Sequence, residues 1–525
     1  MKLSWEVVTD KNTYTNETEI NKVTHITCLL HDETIQKVKG TIRYSIAQED
    51  KIFMNGYQTW TTCKEYSTKD KIRGMHGIPS FLKKQYAFDR YGDYHFVDYP
   101  NKKGVTHGFS WCYFRHHDEF RIFASLDEDP GYTMFTYDYN TLTLTIERDC
   151  SGIHYDGEYP IFDLFYLLGN EKEVFDAWFQ ELHIKPRTTQ KLFGYSSWYN
   201  RYQDINEQCI LEDLEHCQKI FEEGDLFQVD DGWEPFIGDW LEEDTKKFPN
   251  GMKAIADAIH SKGLKAGLWL APFVAEEKSS LYKNHQDWLL KVDGKNWKNG
   301  SNWSGFYSLD FDNEEVQQYL RDVFQKVIHE WGFDLVKLDF LYGIAPFGNS
   351  KETRSAKMKR ALEFLREVCG DALILGCGVP VMPAFGLVDY CRISCDVSLD
   401  WNDVLYMRAF HRERVSTKQA IGNILSRREL NNRAYGSDPD VFFLRKENIK
   451  LSNEDKNDLA MLDALLGNVF LMSDDPGNYT EEMIQKYHEY RNLTNATVLS
   501  IKDTMITYML DGIRHQVTLF KDKKI

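Results

Sequence analysis

The chain has 525 residues, enough for two or three domains with large hydrophobic cores. Lys and Arg number 63, and Asp and Glu number 81, so the formal net charge is −18. An acidic chain is a poor candidate for binding a phosphate backbone, which requires clustered cations, and no nucleic-acid partner is expected.

Aromatic residues make up 14% of the chain, including 13 Trp. Sugars present apolar C–H faces edged by hydroxyls, so their binding sites combine flat rings with carboxylates and amides. Most aromatic residues of a large protein simply fill its core. Composition alone therefore only hints at a carbohydrate ligand.

The first residues, Met1–Glu6, reach acidic and polar side chains at once and include no apolar signal region. No apolar run approaches the roughly 18–20 residues that span a bilayer. Ten cysteines are scattered without CxxC pairs, which favours free thiols in a reducing compartment. We expect a soluble, cytoplasmic protein with no membrane partner.

Residues 1–182 are expected to form an N-terminal β-sandwich domain. Leu142, Leu144 and Ile146 alternate with threonines, the period-2 pattern of a half-buried strand. Asn55-Gly56 and Asp156-Gly157 are turn signals between such runs. The polar stretch 185–191 is interpreted as a linker.

Residues 192–484 repeat the order strand, polar loop, helix. This repetition predicts a (β/α)₈ TIM barrel, because no Gly-rich dinucleotide fingerprint supports the alternative of a doubly wound open sheet. The apolar runs taken as strands are 192–194, 226–229, 264–270, 335–338, 372–375, 391–393 and 469–471.

The clearest helix has one apolar face, with Asp312 and Glu315 as a candidate capping box before it. That face consists of Val316, Leu320, Val323, Val327 and Trp331. Residues 485–525 are expected to form a short antiparallel β-sheet domain, in which Asp511-Gly512 joins a hairpin.

In a (β/α)₈ barrel, functional residues gather where the strands end. Lys337 and Asp339 are two apart on a predicted strand and share one face. A lysine beside an aspartate lowers the pKa of the carboxyl, and an ionised carboxylate can be a nucleophile. A buried ion pair that braces the barrel explains the same two residues equally well.

Asp396 follows another predicted strand, four residues after Arg392. Two carboxylates on different strand ends can flank a glycosidic bond, and a retaining mechanism places them about 5–5.5 Å apart. A single Asp in this position is more often a helix cap. Asp396 therefore gains its significance from Asp339.

Asp230-Asp231-Gly232-Trp233 places two carboxylates beside a ring at a further strand end. Adjacent carboxylates accept hydrogen bonds from vicinal hydroxyls, although a Ca²⁺ loop or a helix cap is the simpler reading. The sequence contains no EF-hand, zinc-ligand spacing, Walker loop or G-x-S-x-G elbow. We expect neither a metal nor a cofactor.

With these residues in place, the chain resembles glycoside hydrolase family 36, the α-galactosidases or melibiases, especially the shorter bacterial or archaeal type. The similarity runs in order through most of the predicted barrel. The matching segments are 197–199, 228–233, 238–240, 248–252, 263–273, 285–288, 336–340, 375–378, 392–396 and 438–440.

The resemblance implies a retaining exo-glycosidase that removes terminal α-galactosyl residues, with Asp339 as nucleophile and Asp396 as acid/base. It implies that Asp230, Asp231 and Lys337 hold the O3, O4 and O6 region of the sugar. The remaining residues it assigns are Arg392, Cys377 and Gly378 around O2 and the ring edge, Trp198, Trp233 and Trp269 as apolar walls, and Trp60 at the leaving-group side.

Cys395 and Ser437 depart from the family pattern, and the C-terminal sheet is short for the family. The alternatives are an α-N-acetylgalactosaminidase with the same mechanism, a transferase that makes raffinose-type sugars, or a catalytically silent galactose-binding protein. The expected partner is an α-galactoside oligosaccharide or glycoconjugate, and the protein is a monomer or a homo-oligomer.

Overall fold

The computed structural model describes residues 1–405, 407–409 and 411–525. The chain folds into an N-terminal antiparallel region, a parallel barrel and a short C-terminal sheet. In the described part of the chain, no helix is both long enough and apolar enough to cross a membrane.

Eleven antiparallel strands form the N-terminal region. They are β1 (Lys2–Thr9), β2 (Thr13–Glu19), β3 (Val23–Arg43), β4 (Lys51–Met54), β5 (Glu65–Tyr66), β6 (Val105–Phe109), β7 (Trp111–His116), β8 (Glu119–Ser125), β9 (Thr133–Asp138), β10 (Thr143–Arg148) and β11 (His154–Gly169).

The long strand β3 connects the two layers of this region. Its first half pairs with β11, and its second half pairs with β1 and β10. The inward side chains of both layers, such as Leu30 and Ile146, are fully buried in one core. The predicted N-terminal β-sandwich is therefore confirmed, as two layers connected by β3.

Two details of that region differ from the sequence predictions. Leu142 precedes β10 with a φ of +53°, so the alternating pattern begins at Leu144. Asp156-Gly157 is a bulge within β11 and not a turn, because the pairing register with β3 shifts at Gly157.

The barrel strands all pair in parallel. They are β12 (Leu192–Ser196), β13 (Leu226–Val229), β14 (Lys265–Leu270), β20 (Leu335–Leu338), β21 (Leu373–Gly376), β22 (Tyr390–Arg392), β23 (Gly436–Asp438), β24 (Val441–Phe442) and β25 (Val469–Met472). The loops that follow β14 carry the short strands β15 (Val274–Glu276), β16 (Lys291–Val292), β17 (Lys295–Asn296), β18 (Lys298–Gly300) and β19 (Phe306–Ser308).

The barrel closes through a seventh strand that is broken in two. β23 pairs with β22, whereas β24 pairs with β25, which in turn pairs with β12. The Asn468 amide donates to the Ser437 carbonyl at 2.9 Å and joins the two edges. The sequence analysis missed this strand, because Gly436-Ser437-Asp438 carries no apolar side chain.

Two α-helices precede the barrel strands, and the others lie between or after them. They are α1 (Ser80–Tyr86), α2 (Glu171–Leu182), α3 (Trp198–Arg201), α4 (Glu207–Cys217), α5 (Gly251–Ser261), α6 (Ser280–Asn284), α7 (Glu314–Phe324), α8 (Arg354–Cys369), α9 (Thr417–Arg427), α10 (Asn453–Leu466) and α11 (Glu481–Leu493).

Helix α7 buries the predicted apolar face, from Val316 through Val327, and a π-helical turn over Gln325–Glu330 extends it. The predicted cap is wrong by one residue. Asn313 caps the helix by accepting from the Glu315 amide at 2.9 Å, and Asp312 instead accepts a hydrogen bond from Lys357 at 2.7 Å.

The C-terminal sheet contains β26 (Thr497–Lys502), β27 (Met505–Leu510) and β28 (Ile513–Thr518). Asp511 and Gly512 form the expected hairpin turn, with φ angles of +50° and +76°. The limit expected at 484/485 falls within α11, and the domain limits themselves stay a prediction.

Candidate active site

A cavity of about 440 Å³ opens at the carboxyl ends of the barrel strands. Eight of the twelve residues predicted for the site line it: Trp60, Trp198, Asp230, Asp231, Trp269, Lys337, Asp339 and Asp396. The parallel barrel brings them together, because successive strands deliver their C-terminal residues to one rim.

Asp339 follows β20 directly and is buried at the base of this cavity. Its Oδ1 accepts a hydrogen bond from the Phe340 amide at 2.8 Å, and its Oδ2 accepts one from the Trp269 indole at 3.2 Å. Burial raises the pKa of Asp339, and the nearby charge of Asp396 adds to that effect. The two carboxyl groups therefore lie within electrostatic reach of each other.

Lys337 bonds to Asp230 and not to Asp339. The distance from its Nζ to Asp230 Oδ2 is 2.8 Å. Lys337 does act to lower the pKa of Asp339, as the sequence predicts, but burial outweighs it and the net shift is upward. The expectation of a lowered pKa is therefore corrected.

Asp396 lies four residues beyond the end of β22, and its side chain is 34% exposed. Arg392, the last residue of β22, donates from Nη1 to Asp396 Oδ1 at 2.9 Å. Arg392 itself is buried behind Asp396 and does not line the cavity. Arg392 therefore orients Asp396 from the buried side, away from the cavity.

Asp230 and Asp231 follow β13 and differ in their partners. Asp230 accepts from Lys337 and, at 2.7 Å, from Gln228. Asp231 Oδ2 accepts from the Gln203 amide at 2.8 Å and from the Trp303 indole at 2.9 Å. Burial raises the pKa of Asp231.

Cys377 contacts both Trp60 and Asp339, and Gly378 packs against Trp60. The Trp60 indole donates to Cys377 Sγ at 3.3 Å. Gly378 has a φ of +55°, and a Cβ there would lie 2.8 Å from the Trp60 ring. These two residues lie beneath Trp60 and outside the lining of the cavity.

Trp233 is fully buried and does not form a wall of the cavity. Its indole donates to the Trp269 carbonyl at 2.9 Å, and its ring lies 5.5 Å from that of Trp331. Trp233 therefore packs behind Trp269, which does face the cavity.

The sequence analysis missed part of the lining. Trp303 lies in a turn with a φ of +52°. It does not follow a predicted barrel strand, so its sequence position does not indicate a site residue. His411 also lines the cavity and stacks on Tyr91 at 5.3 Å, and burial lowers the pKa of His411 to about 3. The other unpredicted lining residues are Phe88, Gln203, Ser301, Asn302, Phe340, Cys395, Asp403, Met407, Glu413, Arg414 and Val415.

A barrel whose strand ends surround a cavity with indole rings, a lysine and two opposed carboxyl groups can hold a sugar and act on its glycosidic bond. Comparisons with known proteins agree with this class. Residues 175–369 match the family model for melibiase.

Two curated relatives are α-galactosidases. The chain is 32% identical to α-galactosidase Mel36A of Lactobacillus acidophilus over 151 residues, which are 27% of this chain and 20% of that protein. It is 29% identical to α-galactosidase AgaA of Geobacillus stearothermophilus over 162 residues, or 30% and 21% of the two chains. The matched segment thus spans about a fifth of the length of these relatives.

Solved structures share most of this fold. The α-galactosidase TtGalA from Thermus thermophilus in complex with stachyose has a TM-score of 0.72 and 26% identity, covering 89% of this chain and 99% of the other. The family 36 α-galactosidase AgaA has a TM-score of 0.59 and 16% identity, covering 96% and 71%. The resemblance to glycoside hydrolase family 36 is confirmed: the chain carries a melibiase region within the fold of these enzymes.

Proposed function

We propose that this protein is a retaining exo-glycosidase that hydrolyses terminal α-galactosyl residues. The observation that carries the proposal is the position of Asp339 and Asp396, which follow two different barrel strands and face one cavity. A protein that only binds sugars needs no such pair.

In the first step, an oxygen of Asp339 attacks the anomeric carbon while Asp396 donates its proton to the leaving oxygen. Two donors, the Phe340 amide and the Trp269 indole, fix the Asp339 carboxylate for this attack. In the second step, Asp396 takes a proton from water, which displaces Asp339 and releases the sugar with its α configuration retained.

We infer that Asp230, Asp231 and Lys337 recognise the hydroxyls of the galactosyl unit. Their side chains converge on the cavity while already bonded to protein partners, so they are held in place before a sugar arrives. Trp269 and Trp303, whose rings are 6.2 Å apart, supply apolar surface for its C–H face.

We infer that the leaving group lies on the side of Trp60. Trp60 and Tyr91 from the N-terminal region line the cavity together with His411. Because TtGalA has been solved with stachyose and AgaA with raffinose, oligosaccharides of that kind are the substrates we propose. The domains proposed are the N-terminal sandwich 1–182, the catalytic barrel 192–484 and the C-terminal sheet 485–525.

We also propose a cytoplasmic location. All ten cysteines are free, and Cys28, Cys63, Cys112 and Cys150 are buried singly in the N-terminal region. Free thiols persist in a reducing compartment.

The test compares release of p-nitrophenol from its α-galactoside and from its α-N-acetylgalactosaminide. The variants are Asp339→Ala and, as a matched control, Asp334→Ala at the opposite end of β20. Asp334 bonds to His260 and the Ala266 amide, far from the cavity lining. We expect release from the galactoside alone, lost with Asp339→Ala and kept with Asp334→Ala.

If the enzyme prefers the α-N-acetylgalactosaminide, the proposed mechanism stands and the proposed substrate changes. Release from neither compound would contradict the proposal and favour a galactose-binding protein.

A further inference from the structure

Arg392 is shared by three carboxyl groups. Beside its bond to Asp396, its Nη2 donates to Asp440 Oδ1 at 2.7 Å, and its Nε lies 3.4 Å from Asp438 Oδ2. The side chains of Asp438 and Asp440 are 4% and 2% exposed, whereas that of Asp396 is 34% exposed. Only Asp396 among the three therefore reaches the cavity.

Asp440 also holds the backbone next to Asp396. Its Oδ2 accepts from the Val397 amide at 2.8 Å and from the Tyr199 hydroxyl at 2.6 Å. Val397 is the residue after Asp396, so Asp440 is connected to Asp396 indirectly in two ways. One passes through Arg392, and the other through the peptide backbone.

The break in the seventh barrel strand creates this position. Asp440 lies between β23 and β24 with a φ of +96°, a backbone conformation that costs energy in a residue with a Cβ. Its amide donates to Asp438 Oδ1 at 2.9 Å, which stabilises the kink. The kink aims the Asp440 carboxylate at Arg392 and Val397.

We propose that Asp440 is a positioning residue for the acid/base Asp396, an assignment that rests on the proposed function. It fixes the direction of the Asp396 carboxyl group through Arg392 and Val397.

Several other groups act on Asp396 and Asp440. Burial raises the pKa of Asp440 to about 7, and the charges of Asp396 and Asp438 add to the rise, whereas Arg392 lowers it. Its carboxyl group accepts hydrogen bonds from three donors. Burial raises the pKa of Asp463 behind it well above the usual range, which favours the neutral form there. The titratable groups facing Asp396 and Asp440 are Tyr199, Tyr202, Lys337, Asp339, Cys377, Arg392, Cys395, Asp438 and Asp463.

The test is Asp440→Asn assayed on two substrates. Phenyl α-galactoside needs a proton on its leaving oxygen, whereas α-galactosyl fluoride releases fluoride with little acid assistance. We expect kcat/KM for the phenyl glycoside to fall at least ~10-fold more than for the fluoride, because general acid catalysis contributes on the order of 10²-fold or more. The ratio of the two losses does not depend on how much of the variant is folded.

A second variant removes the hydroxyl that donates to Asp440. Tyr199→Phe removes one of the three bonds and is expected to change the substrate ratio in the same direction by a smaller factor.

Asp213→Asn is the matched control. Asp213 is equally buried and accepts from Arg201 at 2.6 Å and from Tyr195 at 2.8 Å, but it lies outside the cavity lining. Its substrate ratio should equal that of the wild type. An equal loss of kcat/KM on both substrates in Asp440→Asn would overturn the positioning role of Asp440 and leave the proposed function standing. A wild type inactive on both substrates would overturn the proposed function and this role with it.

Discussion

Lys337 Nζ lies 2.8 Å from Asp230 Oδ2, and both side chains are less than 10% exposed. Burial and the charge of Arg392 work to lower the pKa of Lys337, but the charge of Asp230, with smaller contributions from Cys377 and Asp339, outweighs them and raises it. The two residues thus form a buried ion pair between β13 and β20.

Lys337→Met should lower the free energy of unfolding by about 3 kcal/mol, because it leaves the Asp230 charge buried without its partner. Denaturant unfolding measures this change. The double variant with Asp230→Asn should recover part of the loss, since it removes the orphaned charge. A double variant no more stable than Lys337→Met would contradict the pairing.

Trp269→Phe should reduce kcat for p-nitrophenyl α-galactoside by roughly tenfold. The ring is kept, but the hydrogen bond from the indole to Asp339 Oδ2 is lost, and a nucleophile held by fewer contacts reaches its attack position less often. Stopped-flow measurement of the first turnover isolates this step. Unchanged first-turnover kinetics would show that the bond does not orient Asp339.

The acid limb of kcat/KM should lie above the usual Asp pKa of about 3.9. Asp339 must be ionised to attack, and burial raises its pKa, so activity is lost as the pH falls through that raised value. A pH–rate profile checks this. Full activity down to about pH 4 would contradict the raised pKa of the nucleophile.

The same shift has a consequence for stability. A folded-state pKa above the unfolded value means that folding stability falls as the pH rises through the shifted range. Asp339→Asn removes the buried charge and should raise the free energy of unfolding near pH 7 by roughly 1 kcal/mol while abolishing hydrolysis. A variant less stable than the wild type at pH 7 would refute this prediction.

Gly378→Ala and Gly370→Ala form a matched pair. Both glycines have a φ of +55°, so an alanine is strained at either position, and the ψ of −118° at Gly370 is one that only glycine readily adopts. A Cβ at Gly378 would meet the Trp60 ring at 2.8 Å, whereas nothing lies within 4 Å at Gly370. We expect only Gly378→Ala to lose activity, and the clash with Trp60 to destabilise that variant by about 1–3 kcal/mol beyond its backbone strain. Equal activities of the two variants would remove the proposed link to Trp60.

The barrel and its acidic residues could be predicted from sequence because apolar runs mark the strands and charged residues end them. Asp230, Lys337 and Asp339 all follow that rule. The seventh strand could not be predicted, since Gly436-Ser437-Asp438 has no apolar residue and its buried position depends on the strands beside it.

The aromatic residues show a second limit to what can be predicted from the sequence. Trp240 has polar neighbours in sequence, yet its ring is fully buried against those of Trp233 and Trp269. Trp303 lies in a loop without periodicity, yet it lines the cavity. Which ring faces a ligand depends on tertiary packing, and local sequence does not encode it.

The most direct test of the central claim uses azide with two variants, Asp339→Ala and Asp396→Ala, and α-galactosyl fluoride as substrate. Azide should replace the missing nucleophile in Asp339→Ala and give β-galactosyl azide, whereas Asp396→Ala should give α-galactosyl azide through the intermediate on Asp339. Proton NMR of the anomeric centre distinguishes the two products. If Asp339→Ala gives the β-azide and Asp396→Ala does not, Asp339 is established as the nucleophile. If both variants give the α-azide, that assignment is contradicted.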